Sequence, residues 1–134
     1  QWEQQAKAIE KVRKSVDGIH IFHGMETNIK KNGDLDVSKS FLKEADVVLA
    51  SIHSSFRLNK KKMTKRVIRA IENKYTTILS HPTGRKIQKK EPIALDFDKI
   101  FDAAKENSVA LEINAYPERL DLNDVLVKQA VDNN

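Results

Sequence analysis

The stretch Asp46-Val47-Val48-Leu49-Ala50-Ser51-Ile52 constrains this chain more than any other. It is a nearly continuous apolar run, and such a run suits a strand covered on both faces, as in a parallel sheet flanked by helices. Similar segments recur along the chain. Gly18 to Ile29 is β-like, with Ile19, Ile21 and Phe22 leading to Glu26; Thr76 to Leu79 is a short strand; Val109 to Asn114 is a second strand of the buried type. Helical spacings of three and four alternate with them. Gln1 to Val16 carries Trp2, Ala6, Ile9, Val12 and Val16 on one face, and Ser38 to Glu44 is a short helix. Lys60 to Asn73 puts Met63, Val67, Ile68 and Ile71 inward and six Lys/Arg outward. Asp96 to Asn107, capped by Asp96, turns Phe97, Ile100, Phe101 and Ala104 inward, and Asn123 to Val131 begins a last helix. Four strand-helix units with short connections imply an α/β fold with parallel strands and helices outside. Four strands do not close a barrel of about eight, so the sheet is either open or a sector of a barrel.

Composition limits the chemistry. The 134 residues suffice for one domain with a real core, and with no cysteine there are no disulfides, thiolate metal sites or cysteine nucleophiles. Any metal would sit on His, Asp, Glu or water. No apolar run approaches the roughly 18 residues of a membrane span, and no signal peptide is visible, so the expectation is a cytoplasmic protein without a membrane partner. The net charge of +5 leans toward a polyanionic partner. The chain opens at Gln1 inside an apparent helix and stops at Asn134 inside another, which reads as a piece of a longer protein.

The polar residues at the strand ends stand out against this frame. The first strand ends near Glu26, the second at His53, the third at His81 and the fourth at Glu112 to Asn114. The first two steps are 27 and 28 residues, one strand-helix unit each. Parallel sheets and barrels build their sites at this edge, from residues on different strands. In Leu79-Ser80-His81-Pro82-Thr83-Gly84-Arg85, proline and glycine end the strand at the histidine and hold an arginine one short loop away. A glutamate, two histidines and an Asn or Glu form a sensible set for Zn²⁺ or Mn²⁺. Arg57, Arg85 and Arg119 all lie in loops that follow strands. Metal ions and arginines at one mouth suggest hydrolysis of a phosphate ester.

Each residue also has a plainer reading. Glu26 alone could be a surface carboxylate, His53 a turn residue among serines, and Asn114 an Asx turn before Ala115-Tyr116-Pro117. His20 and His23 read as structural. The lysine run at 60–62 and the Lys65, Arg66 and Arg69 face read as a solvated helix surface rather than a DNA groove. The functional reading rests on the co-placement of the set.

With these residues laid out, the chain resembles a PHP (polymerase and histidinol phosphatase) domain, in particular the C-terminal PHP domain of bacterial and archaeal family X DNA polymerases. The resemblance lies in Gly24-Met25-Glu26-Thr27-Asn28-Ile29, Ala50-Ser51-Ile52-His53-Ser54-Ser55-Phe56-Arg57, Met63-Thr64-Lys65-Arg66, His81-Pro82-Thr83-Gly84-Arg85 and Glu112-Ile113-Asn114-Ala115-Tyr116-Pro117-Glu118-Arg119-Leu120-Asp121-Leu122. It implies that the chain is about four βα units of a distorted (β/α)7 TIM-like barrel with a multinuclear metal site in its mouth. Glu26, His53 and His81 would then be the metal ligands and catalytic residues. Arg57, Arg85, Asn114 and Arg119 would line the phosphate-binding mouth. The implied activity is metal-dependent phosphoester hydrolysis with Zn, Mn or Mg. In the polymerase branch this is 3′-5′ exonuclease and end-processing activity on single-stranded DNA or 3′ ends during repair. The other readings are a phosphatase of a small phosphate ester such as histidinol phosphate, and a non-catalytic scaffold or DNA-binding module.

The chain also departs from the family pattern. The family's HxH motif on the first strand and DxH motif on the last are both missing, and Asn28 stands where the family usually has Asp. The expectation is one incomplete PHP-type domain over residues 1–134, with a partial ligand set, little activity of its own, and two exposed sheet edges that invite homo-oligomers.

Overall fold

The computed structural model describes residues 1–133. In chain order the elements are α1 (Trp2–Arg13), β1 (Gly24–Asn28), α2 (Lys39–Glu44), β2 (Val47–Ser51), α3 (Lys60–Ile71), β3 (Ile78–Leu79), α4 (Phe97–Glu106), β4 (Ala110–Leu111) and α5 (Asp124–Asp132). The four strands form one sheet in the order β1-β2-β3-β4, and every pairing is parallel. Sequence order and spatial order coincide, so the chain steps across the sheet one strand-helix unit at a time. The α/β fold of parallel strands therefore stands, and a four-strand parallel sheet is consistent with a sector of a TIM-like barrel.

The core lies between the sheet and α3 and α4. Val48, Ala50 and Leu79 meet Met63, Val67, Ala70 and Ile71 from α3 and Ile100, Ala103 and Ala104 from α4, all buried. Each fully buried Ile, Leu, Met or Val contributes about 1.5–3 kcal/mol of transfer free energy. Asn59 caps α3 by accepting a bond from the Lys62 N–H (2.9 Å), and Asn123 caps α5 from the Leu126 N–H (2.9 Å). Asp96 occupies the N-cap position of α4, but its carboxylate pairs with Lys99 instead (2.7 Å).

Three expectations need correction. The β-like stretch from Gly18 shrinks to Gly24–Asn28, because the ladder with β2 begins only at Gly24; Ile19 and Phe22 are exposed. The strands at 76–79 and 109–114 shorten to two residues each. Arg66 is not on a solvated face but is buried, at 2% exposure. Its guanidinium donates to the carbonyls of Lys30 (2.8 Å), Ser54 (2.9 Å), Ser55 (3.5 Å) and Ile29. It thereby ties the chain after β1 and after β2 to α3. Burial alone pulls its pKa down from the ordinary arginine value.

β1 and β4 are the sheet's edges. Beyond β4 the chain folds back, with a bridge between Asn114 and Asp121, and an apolar groove of about 340 Å³ lies between α4, β4 and α5. No helix among the described residues is long and apolar enough to cross a membrane.

Candidate metal centre

The C-terminal ends of β1, β2 and β3 bring three side chains together. Glu26 faces out of β1 in register with Leu49 of β2. His53 follows β2, and His81 follows β3. Glu26 Oε1 lies 3.1 Å from His53 Nε2 and 3.1 Å from His81 Nε2. The three donor atoms all lie within 4.8 Å of one another. The two imidazole rings are 5.5 Å apart. Glu26 and His53 are exposed, while His81 is 7% exposed, so the group has one buried wall and one open side.

Neighbouring strands fix the histidines through their backbones. Asn28 Oδ1 accepts from the His53 N–H (3.1 Å), and Glu112 Oε2 accepts from the His81 N–H (2.5 Å) and from Ser80 Oγ (2.5 Å). In each case a polar side chain of the adjacent strand positions the backbone of the next histidine. His81 also has a φ of +30°, in the left-handed region that non-glycine residues seldom adopt. The pattern of strand-end residues indicated Glu112 as a polar group but not as the acceptor that orients His81. Asn28 was noted only as a departure from the family pattern.

Burial tends to raise the Glu26 pKa, but the hydrogen bond from Ser51 Oγ (2.7 Å) and the two facing imidazoles outweigh it, so the carboxyl is held below the usual glutamate value. An anionic carboxylate and two imidazole nitrogens suit a divalent ion of the Zn or Mn type. With bonds of about 2.0–2.2 Å, tetrahedral donor pairs stand roughly 3.3–3.6 Å apart, a little wider than the two Glu26–histidine spacings of 3.1 Å. The His81 ring is held through Nε2, which faces Glu26, while its buried Nδ1 has no hydrogen-bond partner among the described residues. The residues present fit a metal.

The chain is 40% identical over 119 residues to the DNA polymerase/3′-5′ exonuclease PolX of Bacillus subtilis (strain 168), which covers 89% of this chain and 21% of that protein. It is 37% identical over 103 residues to a probable phosphatase of Thermoanaerobacter sp. (strain X514), covering 74% of this chain and 40% of the relative. A probable phosphatase of Shewanella loihica (strain ATCC BAA-1088 / PV-4) is 36% identical over 102 residues, 74% of this chain and 39% of the relative. No protein-family model matches. The chain is a homologue of PolX-like proteins. It spans about a fifth of PolX and two-fifths of the phosphatases, and the matches are consistent with a PHP domain fragment.

The other residues singled out in the sequence take different places. Arg57 is exposed and forms no ion pair among the described residues. Arg85 is half-buried, and its guanidinium donates to the carbonyls of Arg119 (Nε, 2.8 Å) and Leu120 (Nη2, 2.6 Å), so it binds the loop after β3 to the loop after β4. Asn114 makes the Asx turn, accepting from the Tyr116 N–H (3.1 Å), while its amide donates to Glu112 (3.3 Å). Arg119 is half-buried, and its side chain pairs with no carboxylate among the described residues. His23 is buried and stacked on Trp2 with ring centres 3.7 Å apart, away from the cluster. Asp121 is fully buried, and both its oxygens accept from the Thr83 N–H (3.0 and 3.1 Å).

Proposed function

We propose that this chain is part of a single, incomplete PHP-type phosphoesterase domain covering residues 1–134, with Glu26, His53 and His81 holding a divalent ion. The observation that carries this reading is the approach of two imidazole Nε2 atoms to one Glu26 oxygen, each at 3.1 Å. An ion bound there supplies Lewis acidity toward a phosphoryl oxygen. The chain's own groups do the rest. Glu26 and His53 stand on the open side, where a phosphate can approach, while His81 forms the buried wall. Arg57 and Arg119 offer free guanidinium groups at the same mouth for the charge of the phosphate. Arg85 steadies the loop that carries Arg119, and Asn114 holds Glu112 behind His81.

In the parent protein the reading is 3′-5′ exonuclease or DNA end-processing activity on single-stranded DNA or 3′ ends, because the relative matched over the larger share of this chain is named for that activity. A phosphatase of small phosphate esters is the second reading, supported by the names of the other relatives. With the partial ligand set noted above, the 134-residue chain itself turns over slowly or not at all, and its open β1 and β4 edges favour self-association.

Calorimetric titration with Mn²⁺ and Zn²⁺ tests the centre. Saturable binding is expected, lost in Glu26→Gln and His53→Ala while far-UV circular dichroism stays unchanged. Binding that survives both substitutions would remove the cluster from the site. In the full-length parent, His81→Ala should abolish release of 3′ nucleotides from single-stranded DNA. Retained activity with normal metal content would rule out His81.

A further inference from the structure

Beyond the cluster, the loop from Arg85 to Ile93 is unusually well tied down for an irregular stretch. Lys86 and Lys90 exchange backbone hydrogen bonds (2.9 and 2.8 Å) across an antiparallel bridge. The Ile87 N–H donates to the Glu118 carbonyl (2.7 Å), and the Ile93 N–H to the Thr83 carbonyl (2.9 Å). Lys89 pairs with the Glu118 carboxylate. These bonds aim Lys90 inward. Its ammonium stands 3.1 Å above the centre of the Phe56 ring and close to Gly84, where an added Cβ would lie 3.7 Å from Nζ.

This position lies at the mouth. Phe56 is three residues after His53 and Gly84 three residues after His81. Three residues reach at most about 11 Å, so the ammonium is held between two segments leading directly from the two histidines. Its charge is not neutralised there. No carboxylate forms an ion pair with Lys90 among the described residues, and the acid that acts on it, Asp121, is buried and engaged by the Thr83 N–H. Burial first, then the neighbouring Arg119 and Lys86, pull the Lys90 pKa below the usual lysine value. Lys86, Lys90 and Arg119 thus act together against one buried and already engaged acid, Asp121, and such an excess of positive charge favours an anion.

We infer that Lys90, seated on Phe56 beside Gly84, binds the phosphodiester next to the one under attack, so that the mouth selects a polynucleotide strand over a lone phosphate ester. The inference rests on the phosphoesterase reading and narrows its substrate class. A single strand carries a charge at every nucleotide, so a strand with one phosphate at the cluster presents another nearby. A small phosphate ester has nothing to offer Lys90. Arg119 flanks the same position, and the aromatic face of Phe56 keeps the ammonium partly desolvated, which strengthens its attraction for the phosphate.

The test compares this chain with Lys90→Gln and Lys90→Arg. One probe is a fluorescein-labelled single-stranded oligothymidylate, followed by anisotropy over a range of salt concentrations. The other is phenyl phosphate, followed by calorimetry in the presence of Mn²⁺. Lys90→Gln should weaken oligothymidylate binding several-fold and reduce the slope of log K against log salt by about 0.7, the loss of one single-strand phosphate contact. Lys90→Arg should restore both, and phenyl phosphate affinity should be the same in all three proteins. An unchanged oligothymidylate slope in Lys90→Gln overturns the assignment, as does failure of Lys90→Arg to restore binding. An equal loss for phenyl phosphate also overturns it, since Lys90 would then serve the phosphate that both ligands share. Wild-type chain that binds neither Mn²⁺ nor phenyl phosphate would overturn the phosphoesterase reading itself, and this inference with it.

Discussion

α1 and α3 are both twelve residues long, yet they belong to the molecule in different ways. α3 buries six side chains, among them Met63, Val67, Ala70 and Ile71, and packs against α4 and the sheet. α1 buries none. It is held by polar and aromatic joints instead. Trp2 stacks on His23, its indole N–H donates to Glu44 (2.9 Å), and Arg13 reaches the Ile21 carbonyl (2.8 Å) and Asp46. α5 likewise buries no residue. The two inner helices share the sheet's apolar floor, while the two outer ones lie toward the β1 and β4 edges, beyond which the described residues form no further strand. A helical apolar face is a local property of sequence, but burial needs an opposing surface. The candidate site is placed accordingly. Its donors come from β1 (Glu26) and from the residues just after β2 and β3, and of the three only His81 is buried.

The contrast can be broken most severely at its centre. Ile100 is fully buried where α4 meets α3 and the sheet. Ile100→Ala should cost about 2–5 kcal/mol, read as a lower urea midpoint at unchanged slope. A cost below about 1 kcal/mol would mean that α4 is no better packed than the outer helices. The next effect is smaller and polar. Arg66→Met keeps most of the volume but leaves the carbonyls of Ile29 and Ser54 without their donor and that of Lys30 with only the Gly33 N–H. About 1–3 kcal/mol should be lost. The linked segments adjoin Asn28 at the end of β1 and include His53 after β2, so Mn²⁺ affinity should fall too. Unchanged affinity would separate this buried cation from the site.

Arg66 also marks the limit of what could be read from the sequence. Periodicity places apolar residues inward and assumes that cations point out, so it assigned Arg66 to the solvated face with Lys65 and Arg69. Burial of a guanidinium depends on carbonyls presented by turns thirty or more residues earlier, at Ile29 and Lys30, and no local pattern contains them. The convergence of Glu26, His53 and His81 was legible for the opposite reason. Parallel strands joined by right-handed units of similar length bring their C-terminal ends to one edge, so spacing alone aligns those residues. The loops followed neither rule. Sequence placed Arg85 and Arg119 after strands, but the direction of each side chain depends on how the two loops meet; Arg85 turns to backbone carbonyls, and Arg119 pairs with no carboxylate among the described residues. Strand length was misread at β3 and β4 because apolar content signals burial and not pairing.

At the outer edge, Trp2→Ala should leave global stability within about 0.5 kcal/mol of wild type while the amides of α1 lose protection from hydrogen exchange. A larger fall, or α1 amides that stay protected, would mean that this helix is part of the cooperative core.

The smallest effect expected is one of pH, and the molecule carries its own reporter. Trp2 is the only tryptophan, and it sits in the joint between α1 and His23. Asp46 at the same joint is held below the usual aspartate value, first by the backbone N–H of His23 and then by Arg13. A carboxyl whose pKa is depressed by folding contributes stability above its ordinary value near 4, and that contribution is lost as pH falls through the lower folded value. Trp2 emission should therefore shift toward that of an exposed indole below about pH 4, ahead of any change in far-UV circular dichroism. Asp46→Asn should show part of that shift already at neutral pH and little further change on acidification, because the titrating group is gone. High salt should produce a similar partial shift in wild type, since the Arg13–Asp46 pair is exposed and open to screening. If Trp2 emission and circular dichroism instead change together under acid, α1 does not detach separately, and the division into a packed centre and a loosely joined edge fails on this side of the sheet.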